Sequence, residues 1–210
     1  MNRHFSFLTV SAIVCLLLSS CAMVKDDSVR LDRSKIKPAG WSAEIQKRQQ
    51  ITAWELRGRL GVQTRDTGGS MDIIWQQADD DFTIRLLAPM GAGNYLIQGE
   101  KGVAEIRYPD GEKEFVDNVD EVFKSALEVD LPVSAVKDWI RGLPAGELPV
   151  ESIEWNTNGL IDRISQSGWN VEMKKYSGQK ILIPFNIYLS RDDEPELGIR
   201  LVLRQWLVDN

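Results

Sequence analysis

Histidine and cysteine are almost missing from this chain. Of its 210 residues one is histidine, His4, and two are cysteine, Cys15 and Cys21, so nothing beyond residue 21 is either. The body of the chain therefore has no imidazole or thiolate metal site, no Cys–His nucleophile pair and no serine triad with a histidine base. A disulfide within it is excluded as well. Phosphate loops are lacking too, because Gly91-Ala92-Gly93 opens a strand pattern and no Lys-Ser or Lys-Thr follows it. No Gly-x-Ser-x-Gly elbow occurs. No run reaches the roughly 20 apolar residues of a membrane-spanning helix. Positive charge is in deficit, with 25 Lys and Arg against 31 Asp and Glu. A net charge of −6 argues against nucleic acid or an anionic lipid surface as an obvious partner. The carboxylates fall in turns or on polar strand faces, where solvated charge is the simplest account. The expectation is a protein that is not an enzyme and uses no cofactor or metal.

What is present begins with a secretory signal over residues 1–20: Arg3, then an apolar run from Phe7 to Leu18, then small residues. Leu18-Ser19-Ser20-Cys21 resembles the bacterial lipobox, after which the cysteine is lipidated and becomes the first residue. Loss of residues 1–20 removes Arg3 and takes the net charge from −6 to −7. Ala22 stands where an inner-membrane retention signal shows Asp, which favours the outer membrane. Several acyl chains, at about 0.8 kcal/mol per buried CH₂, make such an anchor effectively permanent. Residues 21–40, rich in charge and poor in large apolar side chains, read as the lipidated N-terminus and a flexible tether. Residues 41–210 suffice for one domain with a substantial core.

Within that domain a short helix over Trp41–Gln50 is expected, with Ser42 as N-cap. Alternation then predicts strands over 53–63, 71–75, 82–87, 94–98, 102–108 and 112–116, with a turn at 66–70. The period changes at Val119, Val122, Phe123, Ala126 and Leu127, an amphipathic helix capped by Asp117 or Asn118. Pro132 opens another helix, which stops at Gly142. Alternation returns over 151–155, 160–166, 169–176, 181–190 and 197–208. The chain is thus mainly β in an α+β arrangement: one antiparallel sheet of about eleven strands, dry on one face. A sheet of that width curls or closes, and the mid-chain helices cap its dry side. The pattern leaves open whether that side is packed or hollow.

The turn Ala88-Pro89-Met90-Gly91-Ala92-Gly93 is unusual in having no charged or hydrogen-bonding side chain. Met90 either folds back onto a neighbouring element or is a probe held out toward a membrane or an apolar client.

Several stretches carry a family resemblance: Trp54-Glu55-Leu56-Arg57-Gly58-Arg59-Leu60-Gly61-Val62, Gly69 to Trp75, Phe82 to Leu86 with Pro89-Met90-Gly91, Leu131-Pro132-Val133 with Trp139 to Pro144, Gln166-Ser167-Gly168-Trp169, and Arg200 to Trp206. Over residues 41–210 and in this order, they resemble the LolB family of outer-membrane lipoproteins. The resemblance implies a half-open barrel of eleven strands with a helical lid over a hydrophobic cavity. It implies a role too: accepting lipoproteins from the periplasmic carrier LolA and inserting them into the outer membrane. In that family an exposed leucine at the tip of the Pro-x-Gly turn is needed for insertion. Here Met90, between Pro89 and Gly91, holds that place and keeps it apolar. The acyl-chain cavity is expected to be lined by Trp54, Leu56, Leu60, Met71, Ile73, Trp75, Phe82, Ile84, Leu86, Phe123, Trp139 and Ile140, and Cys21 to be the lipidation site. The implied partners are a LolA-type carrier, the acyl chains of client lipoproteins and outer-membrane lipid, with the protein itself a monomer facing the periplasm. Two other classes stay open: a lipoprotein that binds a small apolar ligand, and a non-catalytic scaffold subunit of an envelope machine.

Overall fold

The computed structural model describes residues 34–89, 93–146 and 148–208. Helix α1 (Trp41–Gln49) precedes β1 (Ala53–Gln63), β2 (Gly68–Ala78), β3 (Asp81–Leu87), β4 (Asn94–Glu100), β5 (Val103–Arg107) and β6 (Lys113–Val116). A 3-10 turn (Val119–Glu121), α2 (Val122–Leu127) and α3 (Val133–Ile140) follow. The chain ends with β7 (Val150–Trp155), β8 (Ile161–Gln166), β9 (Trp169–Ser177), β10 (Ile183–Arg191) and β11 (Gly198–Val208). The strands form a single antiparallel sheet in the order β6-β5-β4-β3-β2-β1-β11-β10-β9-β8-β7. Two meanders therefore meet at the β1–β11 pair, β6 and β7 are the outermost strands, and the helical segment crosses from one side to the other.

Alternation decides which face is dry, because a one-residue slip would exchange every side chain between faces. Leu56, Trp75, Ile84, Ile97 and Ile106 are direct cross-strand neighbours through five strands, and all are buried. On the other half, Ile164, Val171, Leu189 and Ile199 form an equivalent buried row. Each such side chain contributes about 2–3 kcal/mol of apolar burial. A run of rings crosses the join: Trp206 stacks on Trp54 at 4.8 Å, and Trp54 meets Trp75 at 5.4 Å. Trp75 in turn meets Phe82 and, from the lid, Phe123.

The β1–β11 pair bends at a bulge where β11 supplies one extra residue between the partners of Arg57 and Gly58. Gly58 is required there, since a Cβ would lie 2.4 Å from the carbonyl oxygen of Val202. Gly58→Ala is expected to destabilise the protein by about 2 kcal/mol, read as a lower midpoint in a urea titration with an unchanged slope.

Local expectations fail in four places. Gly40, not Ser42, is the N-cap of α1; Trp41 N bonds to Pro38 O, so a backbone turn starts the helix and puts Trp41 edge-on to Trp155 at 4.7 Å. The turn before β2 is 64–67, closed by Thr64 and Thr67, and Gly68 and Gly69 pair in the sheet. The helix expected from Val119 is split, because Asn118 caps a 3-10 turn and Asp120 is drawn to the N-terminus of α3, where it accepts from Ser134 N and Oγ at 2.7 Å. Packing against the body also begins inside the stretch read as tether, with Ser34 exchanging two backbone bonds with Trp155 on the β7 edge.

Candidate functional site: a dry cavity under a helical lid

Strand parity and helix periodicity converge on one enclosed space. Leu60, Val62, Ile73 and Trp75 of β1 and β2 form one side, and Ile187, Leu189, Ile199 and Leu201 of β10 and β11 another. Phe123 and Leu127 of α2, Val129 and Leu131 of the connection, and Val136, Trp139 and Ile140 of α3 form the roof. None of these side chains carries a charge. The cavity volume is about 20 Å³, room for one water molecule, and an apolar wall of this kind offers water no partner. The lid is thus nearly closed onto the sheet.

Leu60, Ile73, Trp75, Phe123, Trp139 and Ile140 of the expected lining lie on this wall. Trp54, Leu56, Phe82, Ile84 and Leu86 are buried in the same apolar cluster but do not reach the void, and Met71 packs at its margin, half-buried. Cys21, Met90 and Gly91 lie outside the described residues, and Pro89 is exposed. Val62, Leu127, Val129, Leu131, Val136 and the four residues of β10 and β11 are additional. The last four share strand parity, yet only the non-local β1–β11 pairing brings them beside Leu60.

The lid is pinned by buried polar groups. Gln166, with no exposed surface, accepts from Trp139 Nε1 at 3.0 Å and Ala145 N at 2.9 Å through Oε1. Its Nε2 donates to Ala145 O and Leu148 O, both at 3.0 Å. Arg141 Nη1 donates to Ile51 O at 2.9 Å, and Arg48 Nη1 to Arg141 O at 2.7 Å. Burial pushes the Arg48 guanidinium below its ordinary pKa, opposed by Tyr176 and by Glu44, 3.7 Å from its Nη2. Among the described residues Arg48 Nε and Nη2 have no hydrogen-bond partner. Both cations sit where α3 ends, favourably placed for its dipole. Arg48 stands on the stripe of Trp41 and Ile45, at i, i+4 and i+7, yet its charge and its exposed chain neighbours Lys47 and Gln49 read as polar surface. Outside the lid, Arg57 bonds Glu55 along its own strand at 2.6 Å, while Arg59 reaches Ser70 on β2.

A curved sheet closed by helices over a wholly apolar void is a container, not a polar active site. Among the described residues, no group of three or more His, Cys, Asp or Glu is placed to hold a metal, and no helix is long and apolar enough to cross a membrane. The family model for the outer membrane lipoprotein LolB matches residues 52–206, and this chain belongs to that family. The outer-membrane lipoprotein LolB of Chromohalobacter salexigens is 31% identical over 195 residues, covering 92% of this chain and 87% of the relative. That of Alkalilimnicola ehrlichii is 27% identical, covering 95% and 96%. Among solved structures, a LolA superfamily protein from Nitrosomonas europaea shares the fold with a TM-score of 0.54 at 6% identity, covering 80% of this chain and 93% of that one. A DUF1329 family protein from Desulfovibrio piger gives 0.55 at 9% identity, covering 84% and 94%.

Proposed function

We propose that this protein is an outer-membrane lipoprotein that faces the periplasm and serves there as an acceptor in lipoprotein localisation. It takes client lipoproteins from a LolA-type carrier, holds their acyl chains under the lid and passes them to the outer membrane without nucleotide hydrolysis. Its part is that of a carrier and chaperone. Cys21 is its lipid attachment point, and the turn at Pro89-Met90-Gly91 is the element that meets the bilayer. Trp54, Leu56, Leu60, Met71, Ile73, Trp75, Phe82, Ile84, Leu86, Phe123, Trp139 and Ile140 form the acyl-chain compartment, those on the void as its wall and the rest as the layer behind. The protein works as a monomer.

The observation that supports this reading is the lid of α2 and α3 packed over a small, wholly apolar cavity. Moving a methylene from one apolar host to another changes its free energy little, against about 0.8 kcal/mol for leaving water. Direction must therefore come from small differences in affinity between carrier, cavity and bilayer. A cavity this small supplies such a difference, because incoming chains must displace contacts that Phe123 and Leu127 make in its wall. Binding is weakened relative to lipid, and onward release is downhill.

The test is a transfer assay with loaded carrier, the Cys21→Ala chain and outer-membrane vesicles, followed by fractionation of the client. The Cys21→Ala form is expected to accept clients, since the container lies in the body. Met90→Glu should melt within about 0.5 kcal/mol of wild type and accept clients, yet fail to deliver them, because a carboxylate must be desolvated or neutralised to enter the interface. Met90→Leu should deliver normally. Early melting and no acceptance by Met90→Glu would make Met90 a core residue, and failure of Cys21→Ala to accept would place the acceptor site in the tether or its acyl chains.

A further inference from the structure

The strands of the first meander assemble a row on their outer face that is scattered in the sequence. Across the pairing from β1 to β6, Arg57 stands beside Ile74, Ile74 beside Arg85, Arg85 beside Leu96, Leu96 beside Arg107 and Arg107 beside Lys113. The three arginines sit on alternate strands, about 10 Å apart at a strand spacing of about 4.8 Å. An aliphatic residue stands between each neighbouring pair of them. Arg57, Arg85, Arg107 and Lys113 are exposed, and Ile74 and Leu96 are half-buried.

Carboxylates do not cancel this row. Glu55 bonds Arg57 at 2.6 Å, and Glu105 lies 3.0 Å from Lys113 and 3.4 Å from Arg107. Both belong to the neighbouring row and are 17% and 23% exposed, against 45% to 54% for the cations they touch, so the cations overhang them. Arg85 makes no ion pair among the described residues. One row nearer Leu87, Asp72 is held between Arg59 at 3.8 Å and Arg204 at 3.2 Å. From the row toward Leu87 and Asn94, the outer face of β1 to β6 thus presents Arg57, Arg59, Arg85, Arg107 and Lys113 against Asp72, and the turns beyond add Arg65, Asp66, Asp110 and Glu112. At the opposite end the sign reverses. Asp79, Asp80, Asp81 and Glu100 are offset there by Lys101, 2.8 Å from Glu100, and Lys137, 3.5 Å from Asp80.

The net charge of −6 describes the whole chain, but salt limits the reach of each charge to about 8–10 Å, so an approaching surface meets the local sign. A bilayer interface offers both partners this row needs, phosphates and, directly beneath them, methylenes. Guanidinium heads pair with phosphate, while Ile74, Leu96 and the arginine stems lie on apolar surface. We propose that the outer face of the first meander is a headgroup-binding surface for anionic phospholipid. Its polarity, basic toward Leu87 and Asn94 and acidic toward Asp81 and Glu100, turns the basic end to the bilayer. This rests on the reading that the protein hands its clients to a membrane.

The experiment is co-sedimentation of the Cys21→Ala chain with vesicles of phosphatidylcholine, alone or with phosphatidylglycerol added. Binding should require phosphatidylglycerol and weaken as salt is raised. Arg85→Gln should weaken it about fivefold, the share of one cation at an anionic surface, and Arg85→Lys should not. Changing Arg85, Arg107 and Lys113 together to glutamine should leave no measurable binding. Lys47→Gln makes the same change of net charge at an exposed position on α1 and should bind like the parent. All these side chains are exposed, so urea midpoints should not move. Equal binding to the two kinds of vesicle, or equal losses in Arg85→Gln and Lys47→Gln, would overturn the surface. So would an Arg85→Gln chain that binds vesicles normally but no longer accepts clients from a loaded carrier, which would give the row to an acidic protein partner. Delivery in the transfer assay stands apart from each of these results. A parent chain that neither binds these vesicles nor delivers clients to outer-membrane vesicles would overturn both readings.

Discussion

Ile84→Glu is expected to destabilise the protein by on the order of 5 kcal/mol, close to the whole stability of many domains of this size. Ile84 has no exposed surface and lies between Trp75 and Ile97 in the buried cross-strand row, and the indole N–H of Trp75 is already donated to Gln77 Oε1. A carboxyl placed there must be neutralised or break the row. Burial raises its pKa in the folded state above the ordinary carboxylate value it keeps in the unfolded chain. Above that ordinary value the folded form binds more protons than the unfolded one, so stability falls as pH rises. The deficit should therefore be smaller near pH 4 than near pH 8, measured by urea titration at each. Gln98→Glu, one position along β4 from Ile97 and exposed on the other face, should stay within about 0.5 kcal/mol of wild type. If the two variants exchange behaviour, the dry and wet faces have been assigned the wrong way round.

Gln166→Leu should be nearly as damaging for the opposite reason. The apolar side chain fits the surroundings, but it leaves Trp139 Nε1, Ala145 N and the carbonyls of Ala145 and Leu148 without their present partner. With buried groups stranded at about 1–3 kcal/mol each, a loss of about 4 kcal/mol is expected. Because those bonds fasten α3 and the segment after it to β8, the variant should bind an apolar dye under conditions in which the wild type does not. Gln166→Glu keeps one acceptor oxygen for Trp139 Nε1 and Ala145 N but sets the other against the Ala145 and Leu148 carbonyls, so it should lose less than Leu only at low pH, where the protonated carboxyl can donate to one of them. A Leu variant that melts like wild type and binds no dye would show that packing alone holds the lid.

Much of this architecture is legible in the sequence, for physical reasons that differ by element. The strands announce themselves because one face is dry, so Trp54 to Val62 and Phe82 to Leu86 alternate without exception apart from Gly58. Pro132 and Gly142 bracket α3: Pro132, extended at φ −64° and ψ 124°, is its N-cap and has no N–H with which to carry the helix further back, and Gly142 supplies φ +71° at its end. Helix starts are less legible. Ser42 has the chemistry of a cap, but the burial of Trp41 decides where α1 begins. The cavity wall is half legible: parity puts Ile187, Leu189, Ile199 and Leu201 on a dry face, yet it does not say that this face meets Leu60 and Ile73. Arg48 is illegible, since a guanidinium in a polar helix normally faces water, and only the carbonyl at the end of α3 draws it inward.

The pairing of β1 with β11 has a consequence for how the molecule comes into being. One of the two central seams of the sheet joins the first strand to the last. Each meander can collapse locally as it emerges, but neither has its central neighbour until the eleven residues of β11 are available. Contacts so distant along the chain close slowly, and until they do two apolar half-sheets stand open to water. A chain cut short before Gly198 would lose its keystone rather than an edge, and such a fragment is one for proteases to clear rather than a smaller version of the protein.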